Sequence, residues 1–157
     1  MTGGQLAPFD LKSALLARHA QHVVLVHFPI ALFLVGVGFD FFAQWRKERS
    51  LAAVAYYHLL AAAVSSLPVM ATGVLAWRWQ LEGQRLKGIL LLHLAMGCVS
   101  GALMWLVWSI HFRAHRNPGS KLPVYRLPIE IVAAAVVAVT AHLGGFLSGV
   151  NGPGQAG

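Results

Sequence analysis

Four long apolar blocks, separated by short stretches that carry most of the charge, dominate the pattern of this chain. The blocks cover about residues 23–43, 51–76, 88–110 and 128–150. Each is close to the roughly 20 residues that an α-helix needs to cross about 30 Å of hydrocarbon. They are too long and too uniformly apolar for transmembrane strands, which alternate in polarity. The pattern predicts an all-α fold, a transmembrane four-helix bundle with both termini on the same side.

Composition agrees with a membrane protein of one domain. The four spans and their connections use nearly all of the 157 residues, so we predict a single membrane domain over residues 1–157. The chain is 57% hydrophobic and 11% charged, whereas soluble domains are about 25% charged. The net charge of +7 does not indicate nucleic-acid binding, because the basic residues stand at the ends of the apolar blocks. Sequence signatures of soluble enzymes are absent, which favours an electron-transfer or accessory subunit over a stand-alone enzyme.

The basic residues also predict an orientation. We call the side with both termini side A and the opposite side side B. Seven Lys and Arg residues at side B against five at side A favour side B in the cytoplasm and periplasmic termini. Side A carries Lys12, Arg18, Arg78, Arg85 and Lys87, and side B carries Arg46, Lys47, Arg49, Arg113, Arg116, Lys121 and Arg126.

Histidines from three different spans are predicted to share one layer near side A. His27 lies about four residues below the side A end of the first span, and His93 about five below that of the third. His142 lies about eight residues short of the end of the fourth. At 1.5 Å per residue, the three lie within roughly 6 Å of one level. His22 stands just above this layer.

Such a layer is suited to a b-type haem, which axial imidazoles from two helices can hold without a covalent link. We predict ligation by two of His27, His93 and His142. Gly97, one turn after His93, and Gly101 beyond it would leave space for a flat ring system. The basic groups Arg18, Arg85 and Lys87 could meet the propionates.

Two other interpretations remain open for this layer. Copper or another metal could be bound by His27, His93 and His142, with His22 as a further ligand. Each histidine could instead hydrogen-bond a neighbouring helix, with Gly97 and Gly101 forming a packing notch. The chain would then be a cofactor-free accessory subunit of a larger respiratory or photosynthetic complex.

A second polar set is predicted near side B. Asp40 ends the first span, His58 begins the second and His111 closes the third, with Glu130 and His115 nearby. An acid and an imidazole at one membrane level could relay protons to water or to a quinone headgroup. The alternative is that these groups contact interfacial water or pair with Arg46 or Arg113.

Several short motifs are distributed over all four spans. They are His22-Val-Val-Leu-Val-His27-Phe28-Pro29-Ile30-Ala31-Leu32, Asp40, Ala71-Thr72-Gly73, His93 and His142-Leu143-Gly144-Gly145. Together they resemble a bacterial membrane family catalogued as domain of unknown function 2231. Val23 departs from the family pattern, which often has proline there, and an aspartate that often follows Thr-Gly is missing. The resemblance implies a small haem-binding or redox-linked protein of the bacterial inner membrane. It also implies a c-type cytochrome as a partner. Other membrane subunits and quinone are partners that we expect from the predicted function rather than from the resemblance.

Overall fold

The computed structural model describes residues 18–80, 85–117 and 122–148. These residues form five helices: α1 (Arg18–Leu25), α2 (His27–Arg46), α3 (Arg49–Gln80), α4 (Gly88–Arg116) and α5 (Arg126–Leu147). Four spans are long and apolar enough to cross a membrane, the first running through α1 and α2. The described residues contain no strand. The all-α prediction with four spans is therefore confirmed.

The helix ends differ from the predicted ones by a few residues. α4 continues to Arg116 rather than residue 110, since basic side chains in a last turn interact favourably with the helix dipole and anchor in the headgroup region. α5 ends at Leu147 rather than residue 150, and residues 149–157 lie outside the described part of the chain.

Pro29 explains the break between α1 and α2. Proline has no backbone N–H, so Pro29 cannot donate to the carbonyl of Leu25, the last residue of α1. The next bond along the chain, from Ile30 N to Val26 O, is long at 3.4 Å. The first span therefore contains two helical pieces, and His22 lies on the short one.

The four spans form a closed ring in which α2 contacts α3 and α5, and α4 contacts α3 and α5. Two residues, Lys47 and Glu48, connect α2 to α3, and Lys47 has a left-handed φ of 54° that closes the end of α2. So short a connection makes the two helices antiparallel. Sequence neighbours thus lie side by side, and the end of α2 lies beside the start of α5.

A small apolar core lies along the bundle axis. It includes Phe33, Leu59, Val107, Ala133 and Val137, all of which are almost completely buried. By contrast, only 17% to 22% of the most apolar window in each span is buried. The remaining apolar surface, large side chains included, needs lipid or other membrane helices to cover it.

Candidate functional site

His93 is held by the neighbouring helix at side A. The half-buried side chain projects from α4, and its Nδ1 lies 3.1 Å from the backbone oxygen of Thr140 on α5. Because a carbonyl only accepts, Nδ1 carries the hydrogen, and Nε2 keeps its lone pair. The ring lies against Gly144, where an added Cβ would stand 3.1 Å from Cε1 of His93. A backbone group thus fixes the tautomer, and a glycine makes room for the ring.

His22 is held in a similar way on a different helix. Its Nδ1 lies 3.2 Å from the hydroxyl of Thr72 on α3, and an added Cβ at Gly73 would stand 3.0 Å from its Cε1. The Thr72 hydroxyl is also 3.0 Å from the carbonyl oxygens of Pro68 and Val69. Since the hydroxyl has one hydrogen and directs it to these carbonyls, we assign Nδ1 of His22 as the donor.

Threonines on α3 and α5 were missed as site residues by the sequence reasoning. Thr140 accepts from His93 through its carbonyl, and its hydroxyl bonds Ser100 at 2.9 Å. Thr72 belongs to the Thr-Gly motif, and Gly144 belongs to the His-x-Gly-Gly motif. The residues that carry the resemblance thus include the contact surfaces of His22 and His93, a signal that the sequence already contained.

The other two predicted ligands have a different environment. His27 and His142 are exposed on the single chain, and the His142 ring packs edge-on against Phe146 with centroids 4.9 Å apart. Within the described residues, His27, His93 and His142 do not form a compact set of potential ligands. Their joint ligation of a cofactor or metal stays a prediction.

The remaining predicted side A residues are distributed as follows. Gly97 has open space where a side chain would stand, whereas at Gly101 an added Cβ would lie 2.9 Å from the sulfur of Met70. Gly101 is therefore a packing position between α3 and α4, and Gly97 leaves an open surface next to His93. Arg85 and Lys87 are exposed, and the side chain of Arg18 lies outside the described part of the chain.

Side B contains a buried ion pair between α2 and α5. Arg126 donates from Nε to Oδ2 of Asp40 at 2.8 Å and from Nη2 to Oε1 of Gln44 at 2.9 Å. The exposed fraction is 0% for Asp40 and 6% for Arg126. Arg126, counted in the sequence among the basic residues of side B, thus pairs with an acid inside the bundle.

A second buried pair lies next to the first. His111 on α4 and Glu130 on α5 are joined by a 2.8 Å contact between Nε2 and Oε1. One ligand atom each from Asp40, His111 and Glu130 lie within 4.8 Å of one another. Oδ1 of Asp40 and Oε2 of Glu130 are buried and have no hydrogen-bond partner among the described residues. We call Asp40, His111, Arg126 and Glu130 the side-B cluster.

The structure places the other predicted side B residues apart from these contacts. His58 bonds the carbonyl of Val54 at 2.9 Å and packs against the Phe39 ring, while the His115 ring stacks on Tyr56. The partner of Asp40 is Arg126 rather than Arg46 or Arg113. Arg126 begins the helix that packs against α2, and a hydrophobicity pattern does not show which helices are neighbours.

Comparison with known proteins gives a family but no characterised relative. The family model described as "Predicted membrane protein (DUF2231)" matches residues 18–156, nearly the whole chain. No match was found among curated proteins or among solved structures. The match covers all four spans, the anchored histidines of side A and the side-B cluster. The chain therefore belongs to the DUF2231 family of membrane proteins.

Proposed function

We propose that this protein is a small b-type cytochrome-like electron-transfer subunit, in which histidines at side A hold a haem. The observation that carries the proposal is the hydrogen bond from Nδ1 of His93 to the carbonyl of Thr140. Metal-binding histidines usually donate their other ring N–H to a carbonyl or carboxylate, which fixes the ring and directs the remaining lone pair to the metal. His93 has this arrangement, so it would be one of the residues that hold the haem.

A second histidine to hold the haem would be His22, His27 or His142. Among these, His22 has the same kind of support as His93, since its Nδ1 is hydrogen-bonded to Thr72 and its ring lies on a glycine. The open surface at Gly97 supports the approach of a flat ring system beside His93. The two anchored imidazoles and the open position at Gly97 are the features that support a haem held between helices.

When bound, a haem would supply one-electron redox chemistry. The contribution of this chain is to hold the imidazoles in one tautomer and to surround them with apolar helix surface, which sets orientation and potential. Arg85 and Lys87 are both exposed at side A. Together with Arg18 they would pair with the propionate carboxylates of the haem. The partners would be a periplasmic donor such as a c-type cytochrome, and quinone or another membrane subunit of the inner membrane.

A reduced-minus-oxidised visible spectrum of the purified protein, expressed with ample haem, tests this proposal. We expect a b-type α-band in the unchanged protein, its loss in His93→Ala, and its retention in the control His115→Ala. The control removes an exposed imidazole at side B that stacks on Tyr56. Absence of the band in haem-supplied protein, or its persistence in His93→Ala, would overturn the assignment.

The same tautomer of His93 would also serve copper or zinc, so a metal-handling role is the second candidate. Elemental analysis of the same preparations separates the two, because one metal per chain without an α-band favours copper or zinc. Protein that lacks both haem and metal yet co-purifies with stoichiometric partners, unaffected by His93→Ala, would instead be a cofactor-free accessory subunit.

A further inference from the structure

The side-B cluster is unbalanced in charge unless it binds a cation. Asp40 and Glu130 are negative when ionised and Arg126 is positive, whereas His111 is charged only if it takes up a proton itself. The exposed fractions of these four residues lie between 0% and 6%. A buried net negative charge is costly because water cannot solvate it. One added positive charge would make the cluster neutral.

The hydrogen bonds show where such a charge is needed. Oδ2 of Asp40 accepts from Arg126, and Oε1 of Glu130 faces Nε2 of His111. The other oxygen of each carboxylate is buried and unpartnered among the described residues. A buried acceptor without a donor costs about 1–3 kcal/mol. Both unsatisfied oxygens would be satisfied by the same event, a proton on one acid donated to the other.

We propose that the side-B cluster is a proton-binding site, in which Glu130 and Asp40 hold one exchangeable proton between Oε2 and Oδ1. Glu130 is then a neutral acid that donates to ionised Asp40, directly or through one water, because a ligand oxygen of each lies within 4.8 Å of the other. Nε2–H of His111 donates to Oε1, and Arg126 holds Oδ2. Every carboxylate oxygen of the cluster then has a partner.

A cleft connects the cluster to the side B surface. It has a volume of about 420 Å³ and reaches Asp40 and Arg126, with the charged residues Lys47, Glu48 and Arg49 along its walls. Toward side A, the cluster is closed by the apolar side chains of Phe33, Val107 and Ala133, which lie one or two turns further along their helices. The proton therefore comes from hydronium or a buffer acid in the water at side B. After the transfer, this donor leaves as water or as the conjugate base of the buffer acid.

The groups around Glu130 come from three of the packed helices. They are Asp40 on α2, His111 on α4 and Arg126 on α5, and Gln44 on α2 accepts a hydrogen bond from Arg126. His58 on α3 is turned to the Val54 carbonyl and the Phe39 ring. The site is separate from the histidines of side A and does not require a haem.

Infrared spectroscopy of the full-length protein in detergent tests the proposal, because a protonated carboxylic acid has a C=O band that a carboxylate lacks. We expect a buried-acid band at neutral pH that disappears in Glu130→Gln and remains in Glu48→Gln. Glu48 is the matched control, since it is an exposed glutamate on the wall of the same cleft. The glutamine amide can donate to Asp40 as the neutral acid does, so this variant is expected to fold.

Thermal unfolding against pH gives a second readout. At neutral pH the folded protein keeps a proton that the unfolded chain has released to water. Stability must therefore fall as pH rises toward the value at which the folded protein also loses this proton. Glu130→Gln should lose this part of the pH dependence, and Glu48→Gln should keep it. If Glu130→Gln does not fold, Glu130→Asp should keep an acid band at a shifted frequency.

Three results would overturn the proposal. They are a wild-type spectrum with no acid band at any pH where the protein is folded, an acid band that persists in Glu130→Gln, and a stoichiometric metal ion that Asp40→Asn and Glu130→Gln both lose. The last result would mean that a metal cation, rather than a proton, balances the charge of the cluster.

Discussion

Asp40 and Arg126 illustrate how a single residue can be read incorrectly when its partner is unknown. Both lie near helix ends, where acids and bases commonly contact interfacial water. In the folded chain they are buried against each other with a 2.8 Å hydrogen bond. The side-chain oxygen of Gln44 accepts a second hydrogen bond from Arg126, so two groups inside the bundle pair with the guanidinium. The cost of removing one partner is therefore large.

Replacing Asp40 with Asn should leave Arg126 without the carboxylate that it bonds directly, so that Glu130 is the one acid left in the cluster to balance its charge. Losing one partner of a buried ion pair typically costs about 3–5 kcal/mol. We expect Asp40→Asn to lower the unfolding temperature in detergent strongly, while the double variant Asp40→Asn with Arg126→Gln recovers a substantial part of the loss. Equal destabilisation by the single and double variants would contradict a direct pairing.

At the scale of elements, the apolar runs located all four spans because a membrane requires about 20 apolar residues in a continuous helix. The contacts between spans were much less predictable. Counting residues along each span placed His22 near the level of His93. The count could not identify Thr72 and Thr140, whose oxygens are the hydrogen-bond partners of these two histidines. Those contacts depend on the order and rotation of helices, and spans that are apolar on every face contain little information about either.

The role of Pro29 in the break between α1 and α2 can be tested by substitution. Pro29→Ala supplies an N–H that can donate to the Leu25 carbonyl, so α1 and α2 should join into one continuous helix. Amide hydrogen exchange of residues 26–30 should then slow. The control Pro68→Ala changes a proline inside α3 and should leave exchange at residues 26–30 unaltered. Unchanged exchange in Pro29→Ala would mean that tertiary contacts, rather than the proline, interrupt the helix.

The whole molecule has two chemically different ends and an apolar exterior. Side A holds the anchored imidazoles, side B holds the buried acids with their cleft, and the core between them is apolar. Orientation decides which compartment each end meets. With side B in the cytoplasm, the proposed proton site would exchange with cytoplasmic water, and the histidines of side A would face the periplasm.

The charge bias behind that orientation is smaller than the sequence count implied. Arg126 is paired with Asp40 inside the bundle, so six basic residues remain at side B against five at side A. The positive-inside rule counts Lys and Arg near the ends of the spans, and the balance still favours side B in the cytoplasm. Direct measurement of sidedness is therefore the most informative experiment on the whole chain.

Two serines allow this measurement with minimal disturbance. In a Cys98→Ser background, Ser50→Cys places a thiol at side B and Ser148→Cys places one at side A, both at exposed positions. A membrane-impermeant maleimide should label the Ser148→Cys variant in intact spheroplasts. The Ser50→Cys variant should react only after the membrane has been permeabilised. The reverse pattern would place the proton site toward the periplasm and the histidines toward the cytoplasm. Each substitution replaces a hydroxyl with a thiol and leaves every Lys and Arg in place. The charge bias of the chain is therefore unchanged, and the labelling reports the native orientation.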